Sequence, residues 1–239
     1  MRDRRRLAPQ RSRRAASLGR APLWLFDLDN TLHDASAHAF KALNRAMTGY
    51  IEQHLQLDAV SAAGLRQHYW QRYGATLIGL VRHHGVSAAH FLSETHALPG
   101  LEAQLRCHAH DRAALRRLPG RKVLLTNAPL AYALRVLRAL DLLRHFDAVL
   151  AIEHMAMFGE LRPKPDARML RHVCARLKQP ATACVLVEDT LEHQKSARRI
   201  GMQTVWMQRW ARAASPGKQG LRRRPVYVDR RVSSLMQLL

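Results

Sequence analysis

The sequence predicts an α/β fold: a parallel β-sheet with helices on both faces, interrupted once by an all-helical insertion. Three observations carry this. Short apolar runs recur along the chain and stop at polar residues, as strands buried on both faces do. Stretches with apolar residues at helical spacing lie between them. Residues 34–118 break this alternation, with many helix formers and almost no strand-like run.

The first run, Pro22-Leu23-Trp24-Leu25-Phe26, reads as a buried parallel strand ending in acids. The second, Arg121 to Thr126, follows Pro119-Gly120. Phe146 to Ile152, Cys184 to Val187 and Gln203 to Met207 are the next three, and Val226-Tyr227-Val228 is a weak sixth. Leu130, Leu134, Leu137 and Leu140 predict an amphipathic helix over 129–144. Residues 166–178 and 190–200 predict two more, with Gly201 suited to a C-terminal stop. Strands alternating with helices give a parallel sheet covered on both sides.

The chain has 239 residues, enough for one large α/β domain with a modest insertion. Apolar residues make up 47 %, which suits a globular chain with its own core. No apolar run reaches the ~18 residues that span a bilayer, so no membrane partner is expected. Cys107, Cys174 and Cys184 form no C-x-x-C pair, which argues against a disulfide framework or a structural zinc site. Cys174 and Cys184 read as buried small hydrophobes, and this usage suits a reducing, cytoplasmic setting.

The net charge is +21, and its distribution is uneven. The first twenty residues hold eight arginines and one acid, Asp3; residues 209–231 hold eight Lys/Arg and one acid, Asp229. Clustered arginine suits a nucleic-acid or acidic-membrane contact, since it releases counterions from phosphates. A solvated basic tail is the favoured reading, because no aromatics interleave with the arginines to stack on bases. Residues 1–20 also resemble a transit peptide superficially, without the apolar core of a secretory signal. They are taken as a tail outside the fold.

Ligands in open α/β sheets bind beyond the carboxyl ends of the strands. Asp27 and Asp29 follow the first strand; Thr126 and Asn127 end the second; Arg162-Pro163-Lys164-Pro165 follows the third; Glu188 and Asp189 follow the fourth. Clustered carboxylates repel unless a hard cation neutralises them, and oxygen ligands suit Mg²⁺. A carboxylate can attack phosphorus and form an aspartyl-phosphate. A second acid two residues on can protonate the leaving oxygen and then activate water. A hydroxyl, an amide and a lysine can hold the phosphoryl oxygens, which assigns phosphate binding to Thr126, Asn127 and Lys164. Each element alone is weak, since strand-end acids and amides commonly cap helices or turns. Their order along the chain is the signal.

With these residues in place, the chain resembles a haloacid dehalogenase-superfamily phosphatase with a Rossmann-like core. Asp27-x-Asp29-x-Thr31 matches that family's first motif, Thr126 its second, Lys164 its third and Glu188-Asp189-Thr190 its fourth, over residues 22–210. The resemblance implies that Asp27 is nucleophile and Mg²⁺ ligand, and that Asp29 is general acid/base and gives its backbone carbonyl to the metal. It implies that Thr126 and Lys164 bind the phosphoryl group, and that Asp189 ligates the metal with Glu188 close by. One departure stands out. Many relatives carry Asp or Asn four residues after the fourth-motif Asp, and here that position is His193, preceded by Glu192. Which group completes the metal surroundings is left open among Glu188, Glu192 and His193.

The domain reading that follows is a basic tail at 1–20, a catalytic core at 21–33 and 119–239, and a helical cap at 34–118. A cap closes over substrate and excludes water. Within it, Tyr73-Gly74-Ala75-Thr76-Leu77-Ile78-Gly79-Leu80 resembles a segment of the pyrimidine 5′-nucleotidase branch, and its glycines and leucines would equally serve close packing. Trp70, Tyr69 and Tyr73 suit base stacking, although aromatics at this spacing are more often core. The fourteen histidines show no metal-binding spacing.

The expected activity is that of a cytoplasmic Mg²⁺-dependent phosphomonoesterase acting on a small phosphorylated substrate, a nucleoside 5′-monophosphate by the resemblance. The protein is expected as a monomer or dimer. The alternatives are a different small ester, such as a sugar phosphate or phosphoglycolate, or a basic nucleic-acid-binding protein on the same scaffold. A dehalogenase fits less well, because Asp29, Thr126 and Lys164 suit phosphate.

Overall fold

The computed structural model describes residues 21–210 and 223–239, so the basic N-terminal tail and residues 211–222 lie outside the described residues. The core is a six-stranded parallel sheet in the order β3-β2-β1-β6-β7-β8. Its strands are β1 (Leu23–Phe26), β2 (Lys122–Leu125), β3 (Ala148–Leu150), β6 (Cys184–Glu188), β7 (Gln203–Met207) and β8 (Arg230–Val232). A two-stranded antiparallel hairpin pairs β4 (Ala156–Met157) with β5 (Glu160–Leu161).

The strands alternate their side chains between two apolar layers, as the pleat requires. Trp24 and Phe26 of β1 join Leu124, Val185, Val187, Val205 and Met207 in one cluster. Leu23 and Leu25 join Val123, Leu125, Cys184 and Leu186 in the other. The first layer is covered by α7 (Ala109–Arg117) and α8 (Leu130–Ala139), which bury Ala114 and Leu115, and Tyr132, Ala133, Val136 and Leu137. The second is covered by α9 (Ala167–Arg176) and α10 (Leu191–Arg199), through Met169, Leu170, Val173, Cys174 and Ala197.

Residues 34–118 are helical. They contain α1 (Ala35–His38), α2 (Phe40–Leu55), α3 (Ala59–Tyr73), α4 (Thr76–His84), α5 (Ala88–Thr95), α6 (Leu101–Gln104) and then α7. The apolar clusters divide this stretch. Helices α2 to α5 bury Tyr50, Ile51, Ala62, Tyr69, Leu77, Leu80, Phe91 and Leu92 among themselves. Ala35, Leu98, Leu101, Leu105 and Leu118 pack instead against the sheet.

Three details differ from the sequence expectation. The weak sixth strand is not at 226–228: Val228 donates back to the Pro225 carbonyl at 3.0 Å, Val226 is 98 % exposed, and the strand forms at Arg230–Val232. Pro225 and the turn it starts leave the ladder to the next residues. The third strand ends at Leu150 rather than Ile152, because Ile152 leaves the sheet to join the α2–α5 cluster. The helix expected over 129–144 stops at Ala139, and Asp141 turns into the left-handed region at φ 57°. The β4–β5 hairpin has two residues per strand, too short for any periodicity to reveal.

Candidate active site

The strand order reverses between β1 and β6, since the chain builds β2 and β3 on one side of β1 and returns to the other. Such a switch point opens a crevice beyond the strand ends. Asp27 continues β1 into it, its backbone N–H still donating to Val187 O at 3.0 Å. Glu188 ends β6 and Asp189 follows it, while Thr126 extends β2.

The tightest contacts centre on Lys164, whose side chain is 1 % exposed. Its Nζ donates to Asp27 Oδ1 at 2.6 Å and to Glu188 Oε2 at 2.7 Å. Thr31 Oγ1 donates to the other Asp27 oxygen, Oδ2, at 3.0 Å. One oxygen each of Asp27, Glu188 and Asp189 lies within 4.8 Å of the others. Glu192 is exposed, whereas His193 Nδ1 stands 3.0 Å from Glu188 Oε2, outside hydrogen-bond geometry.

The electrostatics follow from this crowding. Burial and the Glu188 charge push the Asp27 carboxyl up to about 6 against the pull of Lys164. Burial, with the charges of Glu188 and Asp27, drives Asp189 well above the usual carboxylate range. Burial alone would raise Glu188 too, but Lys164 and His193 hold it well below that range. Burial works against the Lys164 charge, and its two carboxylate partners overcome it, so the ammonium persists. Three carboxylates against one lysine leave the cluster short of positive charge. That donor set, all oxygen and partly open at Asp189, fits a hard divalent cation such as Mg²⁺.

Asn127 engages the Lys164 loop by a route the sequence does not show. Its Nδ2 donates to the Lys164 carbonyl and its Oδ1 accepts from the Lys164 N–H, both at 2.9 Å. The side-chain amide is thereby committed to the backbone of the lysine loop. Asp166 fixes the far end of that loop by capping α9, accepting from Arg168 and Met169. Thr126 is 1 % exposed, and its hydroxyl oxygen accepts from the Ala128 N–H at 3.0 Å. Among the described residues no acceptor takes the hydroxyl proton, so it can donate toward the crevice.

Asp29 lies outside the Asp27–Glu188–Asp189 cluster. Its Oδ1 accepts from Tyr132 Oη at 2.9 Å and lies 2.9 Å from His33 Nε2. The turn that permits this runs through Asn30 at φ 58°, whose side chain is clamped by the backbone and hydroxyl of Ser36. Asn tolerates that left-handed conformation better than most residues. Tyr132 and His33 are the neighbours that sequence reasoning missed. Tyr132 sits on the apolar stripe of α8 and reads as core; only the four-residue spacing of His33 from Asp29 hinted at contact.

The α3–α4 junction of residues 73–76 meets the lysine loop: a Cβ on Gly74 would lie 3.1 Å from Pro165 Cδ. Gly79 lets α4 close on α3, since a Cβ there would fall 2.1 Å from the Tyr69 ring. Tyr69 and Tyr73 hydrogen-bond His84 and His83. Of the three aromatics in this region, Trp70 is 59 % exposed. Basic groups of the C-terminal stretch are also engaged internally. Arg209 pairs with buried Asp111, and Arg224 donates to the Asp229 carbonyl at 2.7 Å. Among the described residues no helix is long and apolar enough to cross a membrane.

Comparison with known proteins bears on this site. A phosphoglycolate phosphatase of Nitrosospira multiformis is 32 % identical over 108 residues, which is 45 % of this chain and 42 % of that protein. A plasmid phosphoglycolate phosphatase of Cupriavidus necator is 35 % identical over 104 residues, 44 % of this chain and 40 % of that one. The alignments thus span less than half the length of these curated relatives. The structure of CbbY from Rhodobacter sphaeroides in complex with phosphate shares the fold, with a TM-score of 0.61 at 19 % identity, covering 91 % of this chain and 96 % of that one. Residues 23–201, which span every strand end that builds the crevice, match the haloacid dehalogenase-like hydrolases, and the chain belongs to that family.

Proposed function

We propose that this protein is a Mg²⁺-dependent phosphomonoesterase that works through Asp27, and that its substrate is a small phosphorylated acid or sugar phosphate. The observation that carries this is the crevice cluster: Asp27 held by buried Lys164 and by Thr31, with Glu188 and Asp189 within 4.8 Å. Asp27, Glu188 and Asp189 would hold the metal, with the Asp29 backbone carbonyl as a further ligand. Bound Mg²⁺ would offset the carboxylate charge and draw charge off the phosphoryl oxygens.

An Asp27 oxygen attacks phosphorus while Asp29 gives its proton to the leaving oxygen, so that an aspartyl-phosphate and an alcohol form. The Asp29 carboxylate then takes a proton from water as the water oxygen attacks phosphorus, and Asp27 leaves as a carboxylate. Lys164 and the Thr126 hydroxyl stabilise the phosphoryl oxygens. Asn127 contributes by holding the Lys164 backbone. Helices α2 to α5 act as the cap that shields these steps from water.

The relatives named phosphoglycolate phosphatase support a small ester over a pyrimidine nucleotide. The Tyr73–Leu80 segment supports the same choice: its glycines serve close approach, and Tyr69 and Tyr73 are occupied by histidines. The nucleic-acid alternative loses ground because Arg209 and Arg224 are spent on internal contacts. A phosphate-release screen tests the proposal. The expected result is hydrolysis with 2-phosphoglycolate or a sugar phosphate favoured over nucleoside monophosphates by about tenfold or more in kcat/KM. Activity should disappear in EDTA and return with Mg²⁺. A nucleotide preference would overturn the substrate assignment, and chelator-insensitive turnover the metal role.

A further inference from the structure

Two hydrogen-bond donors converge on the same oxygen of Asp29. Tyr132 Oη donates to Oδ1 at 2.9 Å, and His33 Nε2 stands 2.9 Å from that oxygen. No hydrogen bond engages Oδ2 among the described residues. His33 is fully buried, and its Nδ1 has no partner among the described residues. A buried N–H without an acceptor is costly, so the ring proton belongs on Nε2, facing Asp29. Tyr132 is itself held in place: it is 2 % exposed, and the buried His96 ring meets it edge-on at 5.7 Å and 76°.

We propose that Tyr132 and His33 are positioning residues that fix Asp29 as the proton donor of the reaction. This inference rests on the phosphomonoesterase reading above. With two donors on Oδ1, the acid form of Asp29 carries its proton on Oδ2, the oxygen left free for the leaving group. As the P–O bond to the leaving group breaks and the Asp27–phosphorus bond forms, that proton passes from Oδ2 to the leaving oxygen. The charge left on Asp29 is met at Oδ1 by the Tyr132 O–H and the His33 N–H. Oδ2 then takes the proton of the attacking water in the second step. Neither side chain touches the substrate; both act by aiming one oxygen of a carboxyl group that would otherwise rotate.

The test is leaving-group dependence of kcat/KM, measured on the Mg²⁺-loaded full chain. This parameter covers the steps through departure of the alcohol. p-Nitrophenolate leaves without a proton, whereas an alkoxide needs one. Tyr132→Phe and His33→Leu should each lower kcat/KM by about 10²-fold on the best alkyl phosphate of the screen, and by less than about threefold on p-nitrophenyl phosphate. His33→Gln places an amide donor near the Nε2 position and should recover most of the alkyl activity. Melting temperatures of all variants identify any that fail to fold, and the His33→Leu and His33→Gln pair decides if Tyr132→Phe is lost. Equal losses on both esters, or no recovery with Gln, would overturn the inference while leaving the phosphatase reading intact. A wild-type protein that hydrolyses neither ester would overturn both.

Discussion

The crevice and the α2–α5 layer of the same molecule treat polar groups in opposite ways. In the crevice, charges are buried and paired across the sheet: Lys164 meets Asp27 from 137 residues away and Glu188 from 24. In α2–α5 no Asp, Glu, Lys or Arg is buried; the buried side chains are apolar apart from the Thr76 and Thr95 hydroxyls, and other polar atoms pair between helices, as in Tyr69 with His84 and Tyr50 with His90. Burying three carboxylates around one lysine is a poor way to gain stability, since desolvation and mutual repulsion both oppose it. The α2–α5 layer gains stability from area and fit. The difference teaches that one region is arranged for reactivity and the other for shape, and substitutions should separate the two.

Asp27→Asn should give the largest effect. Activity on any phosphate ester should fall by about 10⁴-fold or more, with the melting temperature changed little. Retained turnover in a steady-state assay would break the distinction, because the crevice would then not depend on the acid that Lys164 and Thr31 hold between them. Next comes the seam between the two regions. Burial pulls the His96 imidazole down to about 4 from its usual value of about 6.5, opposed by the nearby Asp29 charge. The unfolded chain therefore binds the proton first. Stability from this site is complete above pH 6.5 and falls as pH drops toward 4, by roughly 3 kcal/mol in all. Comparing wild type with His96→Phe in denaturant melts across that window isolates the contribution; parallel curves would refute it.

A smaller effect is expected inside α2–α5. Gly79→Val drives a Cβ into the Tyr69 ring and should destabilise the protein by about 1–3 kcal/mol. Because the strain is in shape rather than charge, kcat should fall less than stability. Trp70→Ala should have the least effect, within about 0.5 kcal/mol, since Trp70 is largely exposed. If it raised KM for nucleotides selectively, the base-stacking role would return and the contrast between the regions would weaken.

Much of the candidate site was legible in sequence because most of its residues follow short apolar runs, Lys164 in its proline-flanked loop being the exception. Asp27 after Phe26, Thr126 after Leu125 and the Glu188-Asp189 pair after Val187 needed only strand recognition and the rule that ligands bind at strand ends. The β4–β5 hairpin, the turn at 226–228 and the true edge strand at 230–232 were not legible. Each depends on one or two backbone conformations, too few for periodicity to register. Asn127 shows the same limit at the level of role: its side chain is engaged by the Lys164 backbone, a pairing the strand-end position does not reveal.

The sequence by itself determined which acids stand at the strand ends and in what order, because burial of short apolar runs is a local property. Only the tertiary structure decided how the two acids of the first motif part. Asp27 turns to Lys164 and the carboxylate cluster, and Asp29 turns to Tyr132, 103 residues away. That choice rests on strand order and on which helix covers which face, and no local pattern encodes either.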